Sequence, residues 1–219
     1  MKKILFFIAS LMVCACGLDN YEAPSSLLTG KVTYNGEPLQ LAHGDVRFNM
    51  YQDGYEKNGP ITVSVASDGT FSALVFDGTY HLRNIDDNAP WTNDVPEVTV
   101  EVKGNTSCEV KVTPYFLLEN ASIALDGNEV KGICSVTQVA LGHGAKQIFL
   151  AVGKTQFIND QSYSYLARKT VNTVKVNGSH SFTLDIEDLL ATHECLYARI
   201  GLEVEGISKY IYTEAFRIK

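Results

Sequence analysis

Apolar and polar residues alternate along most of this chain, in short runs that end at glycine-containing turns. Runs of this kind lie at residues 28–34, 46–50 and 98–102, and a period of two is typical of half-buried β-strands. The pairs Asn35-Gly36 and Asp68-Gly69 separate neighbouring runs, and such pairs favour hairpin turns. The pattern predicts an all-β chain.

The segment Thr113-Pro114-Tyr115 interrupts this series of strands. Proline cannot donate a ladder hydrogen bond, so it ends or begins a strand. We place a domain boundary there and predict one β-sandwich over 26–113 and a second over 114–219. The six or seven short strands of the second domain fit an immunoglobulin-like sandwich, and the one predicted helix covers 185–191.

The first residues have the pattern of a secretory signal peptide. Two lysines precede an apolar run at 4–13, which is too short for a membrane span of roughly 20 residues. Residues 13–16, Val-Cys-Ala-Cys, resemble a bacterial lipobox. This resemblance predicts removal of 1–15, lipid attachment to Cys16 and a polar tether over 16–25. The alternative is a secreted protein with an incidental cysteine.

Charge and cysteine content limit the function classes. The net charge is −7, and loss of Lys2 and Lys3 with the signal makes it −9. An acidic chain without a basic stripe argues against nucleic acid as a partner. The cysteines beyond the signal are too widely spaced for zinc, and we expect them to be buried thiols, although one disulfide between any two of them stays open: Cys108, Cys134 and Cys195.

Enzymatic motifs are absent from the sequence. His193-Glu194-Cys195 is the one local cluster with catalytic residue types, and a solvated strand start explains it more simply. A pair of glycosidase carboxylates cannot be recognised from spacing alone. We therefore predict a protein that is not an enzyme and that has no cofactor and no dedicated metal.

The segment 84–96 is the most site-like part of the sequence, because it holds the chain's only tryptophan, Trp91, among side-chain oxygens. An aromatic face together with amides and carboxylates suits a sugar ring. Alternatives are that Trp91 folds back to cap the sandwich, and that the oxygens bind calcium. The polar candidates of this segment are Asp86, Asp87, Asn88, Asn93 and Asp94.

Tyrosines occur in two further predicted loops with polar neighbours. Tyr51 and Tyr55 lie in the first domain, and Tyr163 and Tyr165 lie in the second. Connecting loops often carry binding residues, so these four are also candidate glycan contacts. Ordinary packing of tyrosine at the base of a loop is the alternative.

Residues 26–113 resemble the transthyretin-like (prealbumin-like) or carboxypeptidase-regulatory-like β-sandwich. The likeness rests on Leu-Thr-Gly-Lys-Val at 28–32 and Gly-Glu-Pro-Leu at 36–39. It also rests on Asp-Gly-Thr-Phe at 68–71 and on the Phe-Asp-Gly-Thr-Tyr-His-Leu block at 76–82. In that family the second pair of blocks forms two strands whose aromatic residues pack inward.

The whole chain resembles small two-domain lipoproteins from polysaccharide-utilisation loci of gut bacteria, whose function is uncharacterised. The residues that carry this resemblance are the lipobox, Asp19-Asn20-Tyr21, the two sandwiches and the stretch 153–160. The resemblance implies a protein at the surface of the outer membrane that helps to capture glycan beside SusC/SusD-type importers. It supplies no catalytic residues. The rival interpretations are a module that docks onto such a transporter and, less well supported, a small hydrolase.

Overall fold

The computed structural model describes residues 22–85 and 88–219, and the regular structure there is almost all β-sheet, which is antiparallel except for one parallel pair. The first domain contains eight strands in two sheets. These strands are β1 (Ser26–Tyr34), β2 (Glu37–Pro38), β3 (Arg47–Gln52), β4 (Ile61–Ser64), β5 (Thr70–Val75), β6 (Gly78–Asn84), β7 (Val98–Val102) and β8 (Thr106–Lys111). One sheet has the order β2-β1-β5, with β8 parallel to β1, and the other has the order β4-β3-β6-β7.

The alternation read from the sequence decides which side of each strand faces the core. In β1, Leu28 and Val32 are buried, whereas Leu27, Thr29 and Lys31 point to solvent. Strand partners with apolar inner faces then pack across the sandwich, which is the usual way for an antiparallel sheet to bury one face.

Turn chemistry fixes the connections. Asn35 and Gly36 both have positive φ, at 52° and 85°, as a tight hairpin with an Asn-Gly turn requires. Gly69 has a φ of 78°, and a Cβ there would lie 2.4 Å from the carbonyl oxygen of Leu39. Only glycine fits this turn, because both the backbone conformation and the close approach exclude a side chain.

The second domain contains the remaining strands and one short helix. They are β9 (Phe116–Asp126), β10 (Glu129–Gln138), β11 (Ala145–Gly153), β12 (Ala167–Val171), β13 (Gly178–Asp185), α1 (Glu187–Thr192), β14 (Tyr197–Val204), β15 (Ile211–Tyr212) and β16 (Phe216–Arg217). One sheet has the order β13-β10-β9. The other has the order β12-β11-β14-β15, with β16 also paired to β14. Among the described residues, no helix is long and apolar enough to cross a bilayer.

The central strands of the second sheet are buried on both faces. Every residue from 148 to 153 of β11 is buried, and so are residues 198–202 of β14. One face contributes to the main core. The other face supports a second cluster, which contains Phe149, Tyr212, Ile158 and, from the first domain, Ala42. A sheet covered on both sides explains why the sequence of β11 is continuously apolar rather than alternating.

The junction between the sandwiches is made of backbone hydrogen bonds as well as apolar contacts. Trp91 and Pro114 form an isolated β-bridge, and the amide of Tyr212 donates to the carbonyl of Gln40 at 3.0 Å. The main hydrophobic cluster runs through both domains without a break. These contacts hold the second domain against the first.

The predicted all-β fold with two sandwiches is confirmed. Most strand positions agree with the sequence pattern, but three elements differ in extent. The β-like pattern of the sequence predicts a strand from residue 122, but β9 begins at Phe116. Alternation over 170–176 predicts another strand there, but β12 covers Ala167–Val171. The predicted helix 185–191 is α1, which starts at Glu187.

Candidate ligand-binding loops

Trp91, the strongest candidate from the sequence, is completely buried. It lies in the junction loop, by which we mean residues 84–96, and its indole Nε1 is buried without a hydrogen-bond partner. The amide of Thr92 donates to the carbonyl of Thr113 at 2.9 Å, and the amide of Tyr115 donates to the carbonyl of Pro90 at 3.1 Å. These bonds hold the tryptophan in the core beside the domain junction. The prediction that its ring offers a face to a sugar is therefore corrected: the ring caps the sandwich.

The described polar candidates of the junction loop lie at the surface, whereas its tryptophan is buried. Asn88, Asn93 and Asp94 are exposed, and the hydroxyl of Thr92 donates to Asp94 Oδ1. The backbone carbonyl of Asn88 accepts a hydrogen bond from the amide of Lys209 at 3.3 Å. The other two candidates, Asp86 and Asp87, lie outside the described residues. No cluster of metal-ligating side chains occurs in the described parts of the chain, so nothing in them supports the calcium alternative.

Tyr51 is engaged by charged neighbours on the outer face of the β4-β3-β6-β7 sheet. The Arg83 guanidinium lies over its ring at 4.7 Å, and Arg83 Nε donates to Glu97 Oε2 at 2.5 Å. His81 lies between two carboxylates, 2.8 Å from Asp53 Oδ1 and 2.9 Å from Glu97 Oε1. The hydrogen bond to Asp53, with that to Glu97, raises the pKa of His81, and the bond from Arg83 lowers the pKa of Glu97. This cluster is a self-satisfied polar network.

Tyr55 is 59% exposed and lies at the rim of a recess of about 680 Å³. The recess is lined mainly by apolar groups, among them Ile61 and Phe76, and its polar groups are Gln52, Asn58 and Asp77. An apolar floor of this kind suits a protein surface better than a hydroxyl-rich ligand.

The loop between β11 and β12, residues 154–166, presents the most exposed aromatic ring among the candidates. We call it the tyrosine loop. Tyr163 is 85% exposed and Phe157 is 46% exposed, whereas Tyr165 is half-buried. These three rings line a recess of about 370 Å³, which they share with the following residues: Lys154, Thr155, Ser164 and Leu166.

The tyrosine loop is held by its own hydrogen bonds. The Ser164 hydroxyl accepts from the amide of Asn159 at 3.0 Å and lies 2.8 Å from the carbonyl of Gln161. The amide of Gln161 donates to Asn159 Oδ1 at 2.9 Å. The amide of Leu166 donates a hydrogen bond to the carbonyl of Val152 at 2.7 Å. This bond joins the end of the loop to the strand from which the loop starts. Internal bonds of this kind limit the conformational entropy that a ligand must remove.

A buried arginine that was not predicted from the sequence binds a backbone carbonyl of the tyrosine loop. Arg199, on β14, is only 1% exposed. Its guanidinium donates to the carbonyls of Thr213 at 2.8 Å, Ile158 at 3.2 Å and, in the first domain, Ser67 at 3.3 Å. It also lies 4.5 Å from the ring of Tyr212. Burial lowers the pKa of Arg199 to about 10.

The signal that could have revealed Arg199 is a single arginine in the segment 198–202 of β14, which is otherwise apolar and is buried on both faces. A charge in such a place must be satisfied by several acceptors. Here three carbonyls from three separate segments supply them. Arg199 therefore ties the tyrosine loop, through Ile158, to both domains. A second contact at the same place is the ring pair of His43 and Phe157, with centroids 5.1 Å apart.

The cysteines and histidines give no sign of catalysis. The three described cysteines have free thiols, and burial raises the pKa of Cys108 to about 11 and that of Cys134 to about 12. His193 Nδ1 lies 2.9 Å from the Thr192 hydroxyl and 3.3 Å from the carbonyl of Leu189, at the end of α1. Raised thiol pKa values are the opposite of what a nucleophilic cysteine needs.

Comparison with known proteins places this arrangement in a family. Residues 26–113 match the model described as "Protein of unknown function (DUF3823) N-terminal domain", and residues 116–217 match the companion domain DUF3823_C. No curated protein matches the chain.

Solved structures of the same family share the fold over nearly the whole chain. A DUF3823 protein from Parabacteroides merdae is 39% identical, with a TM-score of 0.82 over 90% of this chain and 100% of its own. One from Bacteroides ovatus is 30% identical, with a TM-score of 0.80 over 88% and 98%. At 17% identity, a protein from Bacteroides uniformis described as a "putative carbohydrate binding protein" shares the fold, with a TM-score of 0.71 over 90% and 100%. The chain belongs to the two-domain DUF3823 family.

Proposed function

We propose that this protein is a non-catalytic accessory protein of the cell surface that binds glycan through the tyrosine loop. The observation that carries the proposal is the 85% exposed ring of Tyr163 beside Phe157, over a recess of about 370 Å³ in a loop that its own hydrogen bonds hold in shape. The description of the Bacteroides uniformis relative agrees with a glycan ligand, although it concerns that protein.

The chemistry of the recess suits a short stretch of sugar. The CH faces of a pyranose ring pack on an aromatic surface, and the hydroxyls need donors and acceptors at its edge. Lys154 and Thr155 supply these groups. Since the recess is at the small end of ligand sites, which run from about 300 to 1,000 Å³, we expect one or two sugar units and weak binding per site.

Affinity electrophoresis of the full chain in gels that contain polysaccharides tests this proposal. We expect at least one polysaccharide to retard the native chain and Tyr163→Ala to abolish the retardation. Tyr55→Ala is the matched control, because Tyr55 is also exposed in a loop of the other domain. Retardation that survives Tyr163→Ala, or that Tyr55→Ala removes instead, would contradict the assignment to the tyrosine loop.

We further propose that lipid on Cys16 anchors the chain to the outer membrane, where it works beside a SusC/SusD-type importer. The support is the signal pattern and lipobox of the sequence, because Cys16 lies outside the described residues. Incorporation of labelled palmitate by the native chain but not by Cys16→Ala tests the anchor. Protease shaving of intact cells tests surface exposure, and co-purification with the importer tests the partner. Unlabelled native protein would contradict the anchor.

We expect this protein to have no catalytic activity on glycans. His193 Nδ1 lies beside the Thr192 hydroxyl and the Leu189 carbonyl, and burial raises the pKa of the Cys108 and Cys134 thiols. Incubation of the chain with any polysaccharide that it binds should release no reducing ends. Release that depends on the protein would overturn the non-catalytic proposal.

A further inference from the structure

The free edge of β5 in the first domain carries no charge, a property that it shares with the edge strand β4. β5 pairs with β1 alone among the described strands, so its other edge has no ladder partner there. Its sequence Thr-Phe-Ser-Ala-Leu-Val, and the Phe76 that follows, contain no charged residue and no proline. The edge strands β12, β7 and β8 by contrast carry Lys, Arg or Glu. Charged side chains are the usual protection of an edge against another chain.

Large apolar side chains surround this unprotected edge. Leu74 is 61% exposed and is paired across the sheet with Leu27, which is 38% exposed. Phe76 and Ile61 are exposed by 48% and 43%. Beside them a groove of about 850 Å³ runs along consecutive residues of β4 and β5. A contiguous apolar patch around an open edge marks an interaction surface. We call this patch the β5 edge patch.

We propose that the β5 edge patch binds a second copy of this chain, by antiparallel pairing of β5 with β5 about a two-fold axis at Leu74. This register keeps every side chain on its own face of the sheet, because it pairs Ser72 with Phe76 and Leu74 with Leu74. Leu74 of each copy then packs against Leu74 of the other, and Phe76 packs beside Ser72. The inference does not depend on glycan binding.

A second copy fits better than other occupants. The paired strands carry no charge, so the two-fold axis brings no like charges together at the centre. A bilayer could cover the leucines, but it offers no partner to the backbone groups of the β5 edge. Closed two-fold dimers with self-complementary patches are the commonest assemblies of single chains.

Sedimentation equilibrium of the full chain, in a density-matched detergent, gives the first test. We expect a dimer that dissociates on dilution. Leu74→Lys places two like charges opposite each other and should raise the dimer Kd by about tenfold or more. The matched control is Ile133→Lys, because Ile133 is 47% exposed on β10, a strand paired on both sides. A monomer at all concentrations, or a dimer that Leu74→Lys leaves unchanged, would overturn the proposal.

Cross-linking tests the register. Directly opposed residues of an antiparallel pair have Cα atoms about 4.5–5.5 Å apart, within the range of about 4.4–6.8 Å that a disulfide spans. Leu74→Cys should therefore give a covalent dimer much faster than Ile133→Cys. Equal rates would overturn the Leu74 axis. Monomeric native protein that instead binds vesicles of neutral lipid through Leu74 would also overturn the proposal and would assign the patch to a membrane.

Discussion

The junction loop and the tyrosine loop have the same kind of sequence and different places in the molecule. Both contain aromatic residues among amides and carboxylates, and the sequence alone favoured the junction loop because it holds the chain's only tryptophan. In the structure Trp91 is fully buried, whereas Tyr163 is 85% exposed. The difference follows from position, since the junction loop passes between the sandwiches, whereas the tyrosine loop buries Ile158 against the face of a sheet and leaves Tyr163 on its outer side.

A large aromatic side chain is buried in one of these loops and exposed in the other, for a physical reason. A large indole beside a domain boundary gains most by filling the space between the domains. A tyrosine on a loop that is already closed by hydrogen bonds gains nothing from folding inward, so its ring stays available. An aromatic residue in a polar loop is therefore a candidate contact only when the loop does not need it for packing.

The largest expected effect is that of Trp91→Ala. Removing a fully buried aromatic side chain at the junction should cost about 3–5 kcal/mol of unfolding free energy. Tyr163→Ala, which removes an exposed ring, should change stability by less than about 0.5 kcal/mol. Denaturant unfolding of both variants measures the contrast. Similar losses in the two variants would show that the loops do not differ in the way the structure indicates.

The next largest effect is expected from Arg199→Met. This change removes the donors to three carbonyls, two of which belong to buried hydrogen bonds, and each buried acceptor left unpaired costs about 1–3 kcal/mol. We expect a loss of about 2–4 kcal/mol and faster hydrogen exchange at the Leu166 amide, at the end of the tyrosine loop. Arg47→Met, at an exposed position, serves as the control. Unchanged hydrogen exchange at the Leu166 amide would show that Arg199 does not hold the tyrosine loop in place.

A smaller effect is expected from Gly153→Ala, which tests how closely the tyrosine loop packs against the end of β11. A Cβ at Gly153 would lie 2.7 Å from the carbonyl oxygen of Ser164, so the loop must shift. Overpacking of this kind should cost about 1–3 kcal/mol and weaken glycan binding. Gly132→Ala is the matched control, because its Cβ would meet side chains at 3.4 Å or more. Normal stability of both variants would mean that the loop is loose.

The smallest expected effect concerns the polar network beside Tyr51. The pKa of His81 is raised by its bonds to Asp53 and Glu97, so protonated His81 stabilises the fold fully below pH 6.5, and this contribution is lost as the pH rises through the raised pKa. His81→Asn should therefore lower the Tm at acidic pH and have little effect in alkaline solution. An NMR titration of the His81 ring measures the pKa directly. A pKa at or below 6.5 would contradict the network.

Local patterns predicted the strands well because turns and alternation are local properties. The Asn35-Gly36 turn and the buried face of β1 could both be read from a few residues. The burial of Trp91 could not, because it depends on Pro114 and Tyr115 of the other domain. Arg199 was missed for the same reason: its partners at Ser67 and Ile158 are far away in sequence.

The exposed tyrosines could be proposed from sequence but not ranked. Tyr51 and Tyr163 have similar polar neighbours in the sequence, yet a guanidinium from Arg83 covers one and solvent surrounds the other. Cross-strand pairing decides this, since Tyr51 lies opposite His81 and next to Arg83 on the neighbouring strand.

The junction has a consequence for dissecting the protein. Expression of either sandwich alone, cut between residues 113 and 114, would uncover Trp91 on one side and Tyr212 on the other, and would leave Arg199 without its acceptor at Ser67. The two sandwiches are thus poor candidates for exchange as separate building blocks in protein engineering. Transfer of the tyrosine loop to another protein would require that both sandwiches be transferred with it.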